Sequence, residues 1–565
     1  MKQIIECVPN YSEGRDRKVI DAIVAAIGAV EGVKVLDVDP GAATNRTVVT
    51  FVGQPGPVCE AAFQGAKKAQ ELIDMRRHHG AHPRSGATDV LPLIPVAGIT
   101  LEECAVLARG LAERMYTELG IPCYCYEAAA FKPERRNLAV CRAGEYEALP
   151  EKMADPERKP DFGGAWNETV AQCGASNVGA RNFLIAVNFN LNTTSTRRAN
   201  AIAFDVREKG RKAREGGRLD GALLKDADGR QIWIPGTLKG CKAIGWYIEE
   251  YGIAQVSMNI TDIDAAPLHV AFEEVSRAAA ARGLRVTGTE IVGLVPKRVL
   301  LEAGRFYLAR QQRSLGISEE EIVKIAVKSM SLDDLRPFEP REKVIEYLMG
   351  DGKAGPLASM SVAGFARETA SESPAPGGGS VSAAMGAFGA ALATMVANLS
   401  AHKRGWDDRW EEFSAVAEKG QAVLDELLAL IDEDTAAFNR IMDALGMPKG
   451  NDAEKAARNA AIQDATLYAA SVPLKTMEAA LKALPLALEM ALKGNPASAS
   501  DAGVAALAAH AAIRGAHLNV RINAAGLSDK TPALPLLDRA AAIEAEAEAL
   551  EAEVLGEVDK KIGIN

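Results

Sequence analysis

The chain has 565 residues, of which 48% are hydrophobic and 25% are charged, and its formal net charge is −10. A chain of this length is longer than a domain with a single hydrophobic core usually is, so we expect at least two domains. The acidic balance argues against a nucleic-acid scaffold, which is usually basic, and an anionic substrate must therefore meet clustered Arg or Lys side chains or backbone N–H groups.

Cysteine usage and apolar segments bear on the compartment. The opening segment MKQIIECVPNYSEG has no apolar signal core, and all eight cysteines lie between Cys7 and Cys241 without C-x-x-C spacing. This pattern is typical of buried reduced thiols, so we expect a cytoplasmic protein without a zinc site. Segment 383–401 lacks charge but is built mainly from Ala and Gly, and we interpret it as a buried soluble helix, not a membrane span.

Residues 1–125 switch repeatedly between the two-residue period of strands and the 3.6-residue period of helices, which predicts an α/β subdomain. Two of its strands, 33–39 and 45–53, follow each other without a helix, so we expect a mixed sheet. The expected strands span residues 4–9, 33–39, 45–53, 89–96 and 121–127, and the expected helices span residues 15–30, 57–74 and 101–120.

A second unit of the same kind begins at about residue 181. It repeats the order β-α-β-β-α-β, and its last strand contains EIVGLVP (290–296), which echoes DVLPLIP (89–95) in the first unit. We therefore predict two related mixed-sheet subdomains, residues 1–180 and residues 181–330.

Two segments combine charge with Gly or Pro and are predicted to be irregular. The excursion 207–239 contains Lys225-Asp-Ala-Asp-Gly229, which lacks the ligand spacing and closing Glu of a calcium loop, so a hairpin tip is the better interpretation. Segment 331–356 contains several Pro and Gly breaks and is predicted to be the linker to the second half of the chain.

Beyond residue 357 the strand signals disappear, and Ala-rich helical segments predict an all-α domain of six to eight helices over residues 357–565. The last helix carries Glu544, Glu548 and Glu551 along one side, which we interpret as a solvated face. The breaks between helices are placed at residues 374–380, 446–452, 471–473, 494–501 and 527–532.

The stretch RRHHGAHPRSGATDVLPLIPV (76–96) joins a loop with three histidines to a buried strand. Pro83 disfavours the helical region for His82, so this imidazole is held extended at the mouth of the strand, where it can move protons near neutral pH. For His78 and His79 we favour the simpler interpretation that they are solvated loop histidines.

Three further loops can meet the histidine loop at the ends of the strands. They are CVPNYSEG (7–14), LDVDPGAATNRT (36–47) with Asp39, Asn45 and Arg46, and the Gly-rich segment 161–181. Each one alone is more often a plain turn than a site. Together they can surround the basic pair Arg46 and Arg84, which is the kind of charge that a substrate with carboxylates requires.

At this point the motifs resemble those of the formimidoyltransferase-cyclodeaminase family, bifunctional folate enzymes of histidine breakdown. In the first half they are ECVPN, TNRTV, ELIDMRRHHGAHPRSGATDVLPLIPV, CRAGEYEALPEK and KAIGWYIEEYGIAQVSMN. In the second half they are PAPGGGSVSA, LIDEDTAAFNRIM, GNPASASDAGVAA and GAHLNVRIN. The resemblance therefore spans nearly the whole chain, with several long motifs in order.

For the first half, the resemblance implies transfer of a formimino group from N-formimino-L-glutamate to N5 of tetrahydrofolate. His82 matches the catalytic histidine of the family. The loop 163–174, with Gly163, Gly164 and Gly174, aligns with the folate-binding segment.

For the second half, the resemblance implies ring closure of 5-formiminotetrahydrofolate with loss of ammonia. Asp434 matches the catalytic carboxylate, and Asp432, two residues away on a helix, does not share its face. Gly378 and Ser380 in PGGGS offer free N–H groups to an anion or form a plain turn. Asn519 binds a pterin or bonds across a helix interface, and the remaining implied binding residues are Asn495 and Asp501.

The sequence thus predicts an α/β transferase half followed by an all-α deaminase half. We expect a cytoplasmic homo-oligomer with tetrahydrofolate, in polyglutamylated form, as co-substrate, and without a metal, a nucleic-acid partner or a membrane. The alternatives are a transferase whose helical half is only a folate-binding or oligomerisation scaffold, and a folate-binding protein with decayed catalysis.

Overall fold

The fold is given by a computed structural model that describes residues 3–41, 45–79, 83–217, 221–249, 251–350 and 355–563. The chain forms two compact units. One unit comprises Met1–Val299 and Met330–Asp351, and the other comprises Leu300–Ser329 and Gly352–Asn565.

The first unit opens with a seven-stranded sheet in which β1 and β2 both lie between β4 and β5, β3 pairs with the other side of β4, and β7 lies between β5 and β6. The sheet is mixed, because β7 runs parallel to β5 and to β6 whereas the other pairs are antiparallel. Its strands are β1 (Ile4–Cys7), β2 (Asn10–Tyr11), β3 (Val33–Gly41), β4 (Arg46–Gly53), β5 (Thr88–Ala97), β6 (Cys123–Glu127) and β7 (Ser176–Ala180). Its helices are α1 (Arg17–Gly28), α2 (Pro55–Leu72), α3 (Leu101–Leu119), α4 (Leu138–Arg142), α5 (Leu149–Ala154) and α6 (Glu168–Cys173).

Strand β7 was not predicted from the sequence. Its residues, Ser176-Asn-Val-Gly-Ala180, are small and carry only one β-branched side chain, yet all five are buried between β5 and β6. A segment that pairs on both sides needs no strong strand propensity of its own, because its neighbours supply the hydrogen bonds and the burial.

The second sheet has four strands in the order β11-β12-β8-β13, all paired antiparallel. Its connectivity repeats that of the first sheet: β8 lies between β12 and β13 as β1 lies between β4 and β5, and β11 pairs with β12 as β3 pairs with β4. Strands β5 and β13 are therefore equivalent, but the echoing segments are not: 89–95 lies within β5, whereas 290–296 runs past the end of β13 at Val292. The elements are β8 (Ile185–Leu191), α7 (Thr196–Val206), β9 (Arg211–Lys212), β10 (Trp233–Ile234), β11 (Cys241–Ile248), β12 (Ile253–Ile260), α8 (Leu268–Ala280) and β13 (Val286–Val292).

The excursion 207–239 contains a hairpin, as predicted. Strands β9 and β10 pair antiparallel, and beyond them Lys225 bridges Gln231 around the turn that Asp226 closes with Arg230. No calcium ligation is needed to explain this segment.

The structure differs from the predicted linker 331–356. Val344 and Ile345 are fully buried in the first unit, where Val344 bridges Val295 beside β13. Residues 331–350 are therefore a packed part of the transferase half, whereas residues 300–329 belong to the helical unit. The helices of this region are α9 (Lys297–Arg310), α10 (Glu319–Ser329), α11 (Pro340–Lys343) and α12 (Ile345–Leu348).

The rest of the described chain is helical, and its core is dominated by alanine, which permits close approach of the helices. The predicted break at 471–473 is wrong, because α16 continues through Pro473 and Pro485; both prolines sit inside a helix that neighbouring helices hold on several sides. The helices are α13 (Val362–Thr369), α14 (Gly378–Ala401), α15 (Trp410–Gly446), α16 (Asp452–Lys493), α17 (Ala499–Ala525) and α18 (Leu534–Ile562).

Helix α14 contains the uncharged segment 383–401. Within the described residues it alone is long and apolar enough to cross a membrane by length and composition, but 61% of its apolar window is buried. It packs against α15, α16 and α17, which is how the central helix of a bundle is covered.

Candidate functional site

The predicted catalytic histidine, His82, lies outside the described residues, together with Gly80 and Ala81. The residues on either side of it are held by well-defined contacts. The prediction that His78 is solvated is wrong: His78 is buried, its Nε2 lies 2.8 Å from the carbonyl oxygen of Asn45, and burial lowers the pKa of its ring. His79 is exposed, as expected.

Asn45 joins three of the loops that were expected to meet. Its Oδ1 accepts the N–H of Gly14 at 3.0 Å, and its Nδ2 donates to the carbonyl of His79 at 3.0 Å. Its backbone has φ of +50°, a conformation that Asn tolerates better than most residues. The buried side chain thus connects the loops, and both its amide oxygen and its amide nitrogen form hydrogen bonds within the protein.

Arg84 does not form a basic pair with Arg46 for a substrate. Its guanidinium is buried and binds Glu145 at 2.9 Å and Glu147 at 2.6 Å, and its Nε faces Nδ1 of His78 at 3.4 Å. The bonds to the two glutamates raise the pKa of Arg84 above its usual value. Two carboxylates already neutralise this cation, so its role is to hold the histidine loop.

A second buried ion pair, which the sequence analysis missed, lies at the start of β5. Asp89 is fully buried and binds Nη2 of Arg142 at 2.6 Å and the N–H of Ser85 at 2.9 Å. Burial raises the pKa of Asp89 to about 6, and the charge of Arg142 opposes that rise. The signals available in the sequence were an acid that opens a buried strand and an Arg inside the CRAGEYEALPEK motif.

Arg46 and Asp39 lie beside this ion pair. Burial and the nearby charge of Arg142 lower the pKa of Arg46, whereas the charges of Asp89 and Asp39 oppose that effect. Asp39 itself is exposed on β3. Arg46, Arg142, Asp89 and Asp39 thus form a cluster of mixed charge at this end of the sheet, in which Asp89 offsets the charge of Arg142.

The three glycines of the predicted folate loop differ in role. Gly174 has φ of +70°, and a Cβ on it would overlap with the carbonyl of Ser85, since Gly86 and Gly174 bridge each other directly. Gly163 and Gly164 are exposed near the start of β6. Strand β6 is two strands away from β5, so Gly163 and Gly164 lie ~10 Å from the Gly86–Gly174 bridge, along the same edge of the sheet.

The second sheet presents a polar face that the sequence analysis also missed. Asn190 and Gln255 are fully buried and bond to each other at 2.5 Å, and Gln255 accepts from the indole of Trp246 at 3.0 Å. Nδ2 of Asn190 is buried without a partner among the described residues. A pocket of about 620 Å³ opens nearby, lined by Arg207, Glu208, Lys209, Cys241, Lys242, Ala243, Ile244, Ser257 and Asn259.

In the helical unit, Asp434 lies on α15 against the first turn of α14. Its Oδ2 accepts the N–H of Ser380 at 2.8 Å and lies 3.0 Å from the Ser380 hydroxyl. Burial raises the pKa of Asp434, and the two bonds from Ser380 oppose the rise. Asn519 of α17 lies beside Gly378, so Gly378, Ser380 and Asn519 gather around this carboxylate.

Asn495 and Asp501 lie at the opposite end of the bundle. The N–H of Asn495 donates to the hydroxyl of Ser400 at 2.8 Å, and Ser400 is ~30 Å from Ser380 along α14. Asp501 stands in the first turn of α17, ~27 Å along that helix from Asn519. The structure does not bring these two residues to Asp434.

Two of the three glutamates on α18 that were predicted to be solvated contact histidines of α17 instead. Glu544 lies 2.5 Å from Nδ1 of His517, and Glu551 lies 2.5 Å from Nδ1 of His510. The two pairs are seven residues apart on both helices, so they stabilise the packing of α18 against α17. Among the residues that the structure describes, no group of three or more His, Cys, Asp or Glu side chains can hold a metal ion, and all eight cysteines are free.

Three family models match successive parts of the chain. The model described as "Formiminotransferase domain, N-terminal subdomain" matches residues 4–181, and "Formiminotransferase domain" matches residues 186–350. The model described as "Formiminotransferase-cyclodeaminase" matches residues 361–542. The candidate sites around Asp89 and Asp434 thus fall within different matched segments.

Full-length and half-length relatives are both similar to this chain. It is 42% identical to the formimidoyltransferase-cyclodeaminase of Mus musculus over 562 residues, 99% of this chain and 100% of that one. The glutamate formimidoyltransferase of Streptococcus pyogenes serotype M1 is 41% identical over 308 residues, 54% of this chain and 94% of that one. The methenyltetrahydrofolate cyclohydrolase of Methylorubrum extorquens is 42% identical over 193 residues, 34% of this chain and 93% of that one.

Proposed function

The chain belongs to the formimidoyltransferase-cyclodeaminase family, and from that premise we propose that His82 and Asp434 are the catalytic groups of its two reactions. The enzyme transfers the formimino group of N-formimino-L-glutamate to tetrahydrofolate and then closes the ring to 5,10-methenyltetrahydrofolate with release of ammonia. The observation that most supports the residue assignment is Asp434 itself, a largely buried carboxylate of α15 that has a raised pKa and faces the first turn of α14.

In the transferase half, His82 is the general base. The N5 amine of tetrahydrofolate loses a proton as it attacks the formimino carbon, and an imidazole can take that proton and pass it to the departing glutamate nitrogen. Arg46 supplies positive charge for the carboxylates of the substrate, because Arg84 is neutralised by Glu145 and Glu147 and Arg142 is paired with Asp89.

In the deaminase half, Asp434 moves one proton. As N10 attacks the formimino carbon, the carboxylate accepts the N10 proton; the resulting carboxylic acid then donates it to the nitrogen that leaves as ammonia. The carboxyl group ends in its starting form, and the positive charge of the protonated formimino group remains on the methenyl product. A pKa raised by burial suits a group that must act in both directions.

A two-stage assay tests both assignments. Formiminoglutamate and tetrahydrofolate are supplied together, and glutamate, ammonia and methenyl absorbance are followed separately. Glutamate release followed by equal amounts of ammonia and methenyl product supports two working halves. Glutamate release without ammonia would favour a transferase whose helical half is only a scaffold. Decay of the methenyl signal faster than its uncatalysed hydrolysis would favour a cyclohydrolase activity like that named for the Methylorubrum relative.

We also propose that the protein is a homo-oligomer assembled through the helical unit. Exposed apolar side chains lie on α14 and α17, which pack antiparallel, with Gly389 against Ala505 and Gly378 against Asn519. They are Phe388, Met395, Leu399, Val504, Leu507, Leu518 and Ile522, with exposed fractions from 37% to 70%. Apolar side chains repeated along neighbouring helices are typical of a surface that a second copy covers. Sedimentation of Phe388→Glu and Ile522→Glu variants tests this, since each should dissociate the oligomer.

The natural folate is proposed to be polyglutamylated. Lys209 and Lys242 line the pocket of about 620 Å³ beside the second sheet, and they can attract the anionic tail that a polyglutamate adds. Lys242→Ala should raise KM for a pentaglutamate more than for the monoglutamate. Equal changes would mean that this pocket does not contact the tail.

The setting proposed for the enzyme is cytoplasmic histidine degradation. Its substrate is a breakdown product of histidine, and its eight free cysteines, seven of them buried, suit a reducing compartment. Fractionation of cells that express a tagged chain tests the location.

A further inference from the structure

Ser380 contacts Asp434 through two donors on a single carboxylate oxygen. The Ser380 N–H is 2.8 Å from Oδ2 of Asp434, and the Ser380 hydroxyl is 3.0 Å from the same atom. Ser380 is fully buried in the first turn of α14, where unbonded N–H groups favour an anion. Oδ2 therefore has its acceptor capacity filled within the protein.

The other oxygen, Oδ1, lies over Gly379. A Cβ on Gly379 would overlap with the Asp434 carboxylate, and its closest atom would be Oδ1. Only glycine at this position lets the carboxylate approach the helix end as closely as it does. Among the described residues, both hydrogen bonds to the Asp434 carboxylate end on Oδ2, and Oδ1 accepts none.

We infer that Ser380 is a positioning residue of the cyclodeaminase reaction: it anchors Oδ2 of Asp434, so that Oδ1 is the atom that takes and returns the proton. This inference rests on the proposed catalytic role of Asp434. It also reassigns Ser380, which the sequence resemblance implied as a substrate-binding residue, because its donors are already used within the protein.

The Ser380 hydroxyl can change its hydrogen-bond acceptor when Asp434 gains or loses a proton. It has one proton and three acceptors in reach: the carbonyl of Ile431 at 2.8 Å, Oδ2 of Asp434 at 3.0 Å and, farther away, the hydroxyl of Thr435 at 3.3 Å. When Asp434 is ionised, the hydroxyl stabilises the charge by donating to Oδ2. When Oδ1 carries the proton, the hydroxyl can donate to the carbonyl of Ile431 instead. The buried hydroxyl therefore has an acceptor in both protonation states of Asp434.

Several ionisable groups on the helices around Asp434 are engaged elsewhere. Glu433, its neighbour on α15, binds Tyr468 and Lys475 of α16. Asp432 is bound to the backbone at Leu357. On α17, His517 is paired with Glu544, and the first turn of α14 carries no ionisable side chain. Burial and Ser380 are accordingly the causes that act on the pKa of Asp434.

The test is the pH profile of ammonia release from supplied 5-formiminotetrahydrofolate, measured on the full-length enzyme. Ser380→Ala removes the hydroxyl but keeps the N–H. We expect the acidic limb of the profile to move to higher pH, because the ionised form of Asp434 loses a donor. We also expect kcat to fall about 10-fold, and not beyond the ~10²-fold cost of a displaced catalytic group.

Ser382→Ala is the matched control. Ser382 is also buried in the first turns of α14, but its hydroxyl donates to the carbonyl of Gly378 in its own helix. Its pH profile should stay that of the wild type. If Ser380→Ala fails to fold, Ser380→Cys keeps the volume with a weaker donor and should move the limb in the same direction. Ser380→Thr, which keeps the hydroxyl, should restore the wild-type profile.

Two outcomes would overturn the inference without touching the proposed function. One is an acidic limb that does not move in Ser380→Ala or Ser380→Cys, while Asp434→Asn is inactive. The other is an equal shift in Ser382→Ala, which would indicate a general effect of the helix. If Asp434→Asn itself remains active, the proposed function fails first.

Discussion

Asp432 and Asp434 lie two residues apart on α15, yet their carboxylates bind different segments of the helical unit. Asp432 accepts the N–H of Leu357 at 2.8 Å and the N–H of Ala358 at 3.1 Å, whereas Asp434 accepts the N–H of Ser380 at 2.8 Å. Two residues of helix turn a side chain by about 200°, so the two acids point to opposite sides. One acid anchors a chain segment, and the other faces the candidate site.

Asp434→Asn should therefore uncouple the two reactions. Glutamate release stays at the wild-type rate, while ammonia release falls by at least ~10²-fold, because an amide cannot accept and return a proton. Asn keeps an oxygen for the Ser380 donors, so the fold should persist. Asp432→Asn is the control: it should lower Tm, since one of the two backbone N–H groups then faces the amide NH2 and has no acceptor, but leave kcat unchanged. Equal loss of ammonia release in both variants would mean that Asp434 acts only in folding.

His82→Ala should abolish formimino transfer and leave ammonia release from supplied 5-formiminotetrahydrofolate intact. The reason is chemical, because the attacking amine needs a base and its loss typically costs ~10²–10⁴-fold. His79→Ala is the matched control from the same loop, since His79 is exposed. Single-turnover transfer assays on both variants measure this. Transfer at the wild-type rate in His82→Ala would place the base elsewhere.

Arg84→Lys should lower stability without changing recognition of formiminoglutamate. Lysine cannot reproduce the two-pronged contact with Glu145 and Glu147, and we expect a loss of ~2 kcal/mol in the free energy of unfolding. KM for formiminoglutamate should stay within about twofold. Arg46→Lys is the contrasting variant, for which KM should rise. A higher KM in Arg84→Lys at unchanged Tm would restore Arg84 as a substrate-binding residue.

Gly174→Ala should damage the transferase half, whereas Gly164→Ala should be tolerated. At Gly174 the added Cβ meets the Ser85 backbone in a left-handed conformation, for which we expect a cost of ~2 kcal/mol or more. At Gly164 the nearest atom is the hydroxyl of Tyr116 at 3.1 Å, the end of a side chain that can move. Thermal unfolding and transfer rates of the two variants compare them directly, and similar losses in both would contradict the difference in packing.

Glu6→Gln should make the protein more stable above pH 7. Glu6 is buried in β1, and burial raises its pKa from 4.5 to about 7, opposed by the charge of Arg181. A carboxyl whose pKa is higher in the folded state loses stability as pH rises from about 4.5 to about 7, and the loss stays constant beyond. At about 1.36 kcal/mol per pKa unit, the ionised form costs ~3 kcal/mol.

The difference in Tm between Glu6→Gln and the wild type, measured from pH 4 to pH 8, isolates this group. It should shift in favour of the variant between pH 5 and pH 7 and then level off. A difference that does not depend on pH would show that Glu6 has an ordinary pKa in the folded protein.

The sequence determined the fold class, most helices and strands, and the family. Periodicity is local, and elements such as α3 carry their own signals, here a capping box formed by Thr100 and Glu103. The topological kinship of the two sheets was already visible in the repeated order β-α-β-β-α-β. The opposite facing of Asp432 and Asp434 also followed from helical spacing alone.

Tertiary structure decided which polar residues are available for chemistry. Arg84 was predicted to bind substrate carboxylates, but Glu145 and Glu147 neutralise it. The position of Asp89 at the start of a buried strand did not indicate that its partner is Arg142, 53 residues away along the chain. Likewise, Asn495 and Ser380 occur in equally convincing motifs, but they lie at opposite ends of α14. A side chain's burial and partners depend on segments far apart in the chain, and neither propensity nor spacing encodes them.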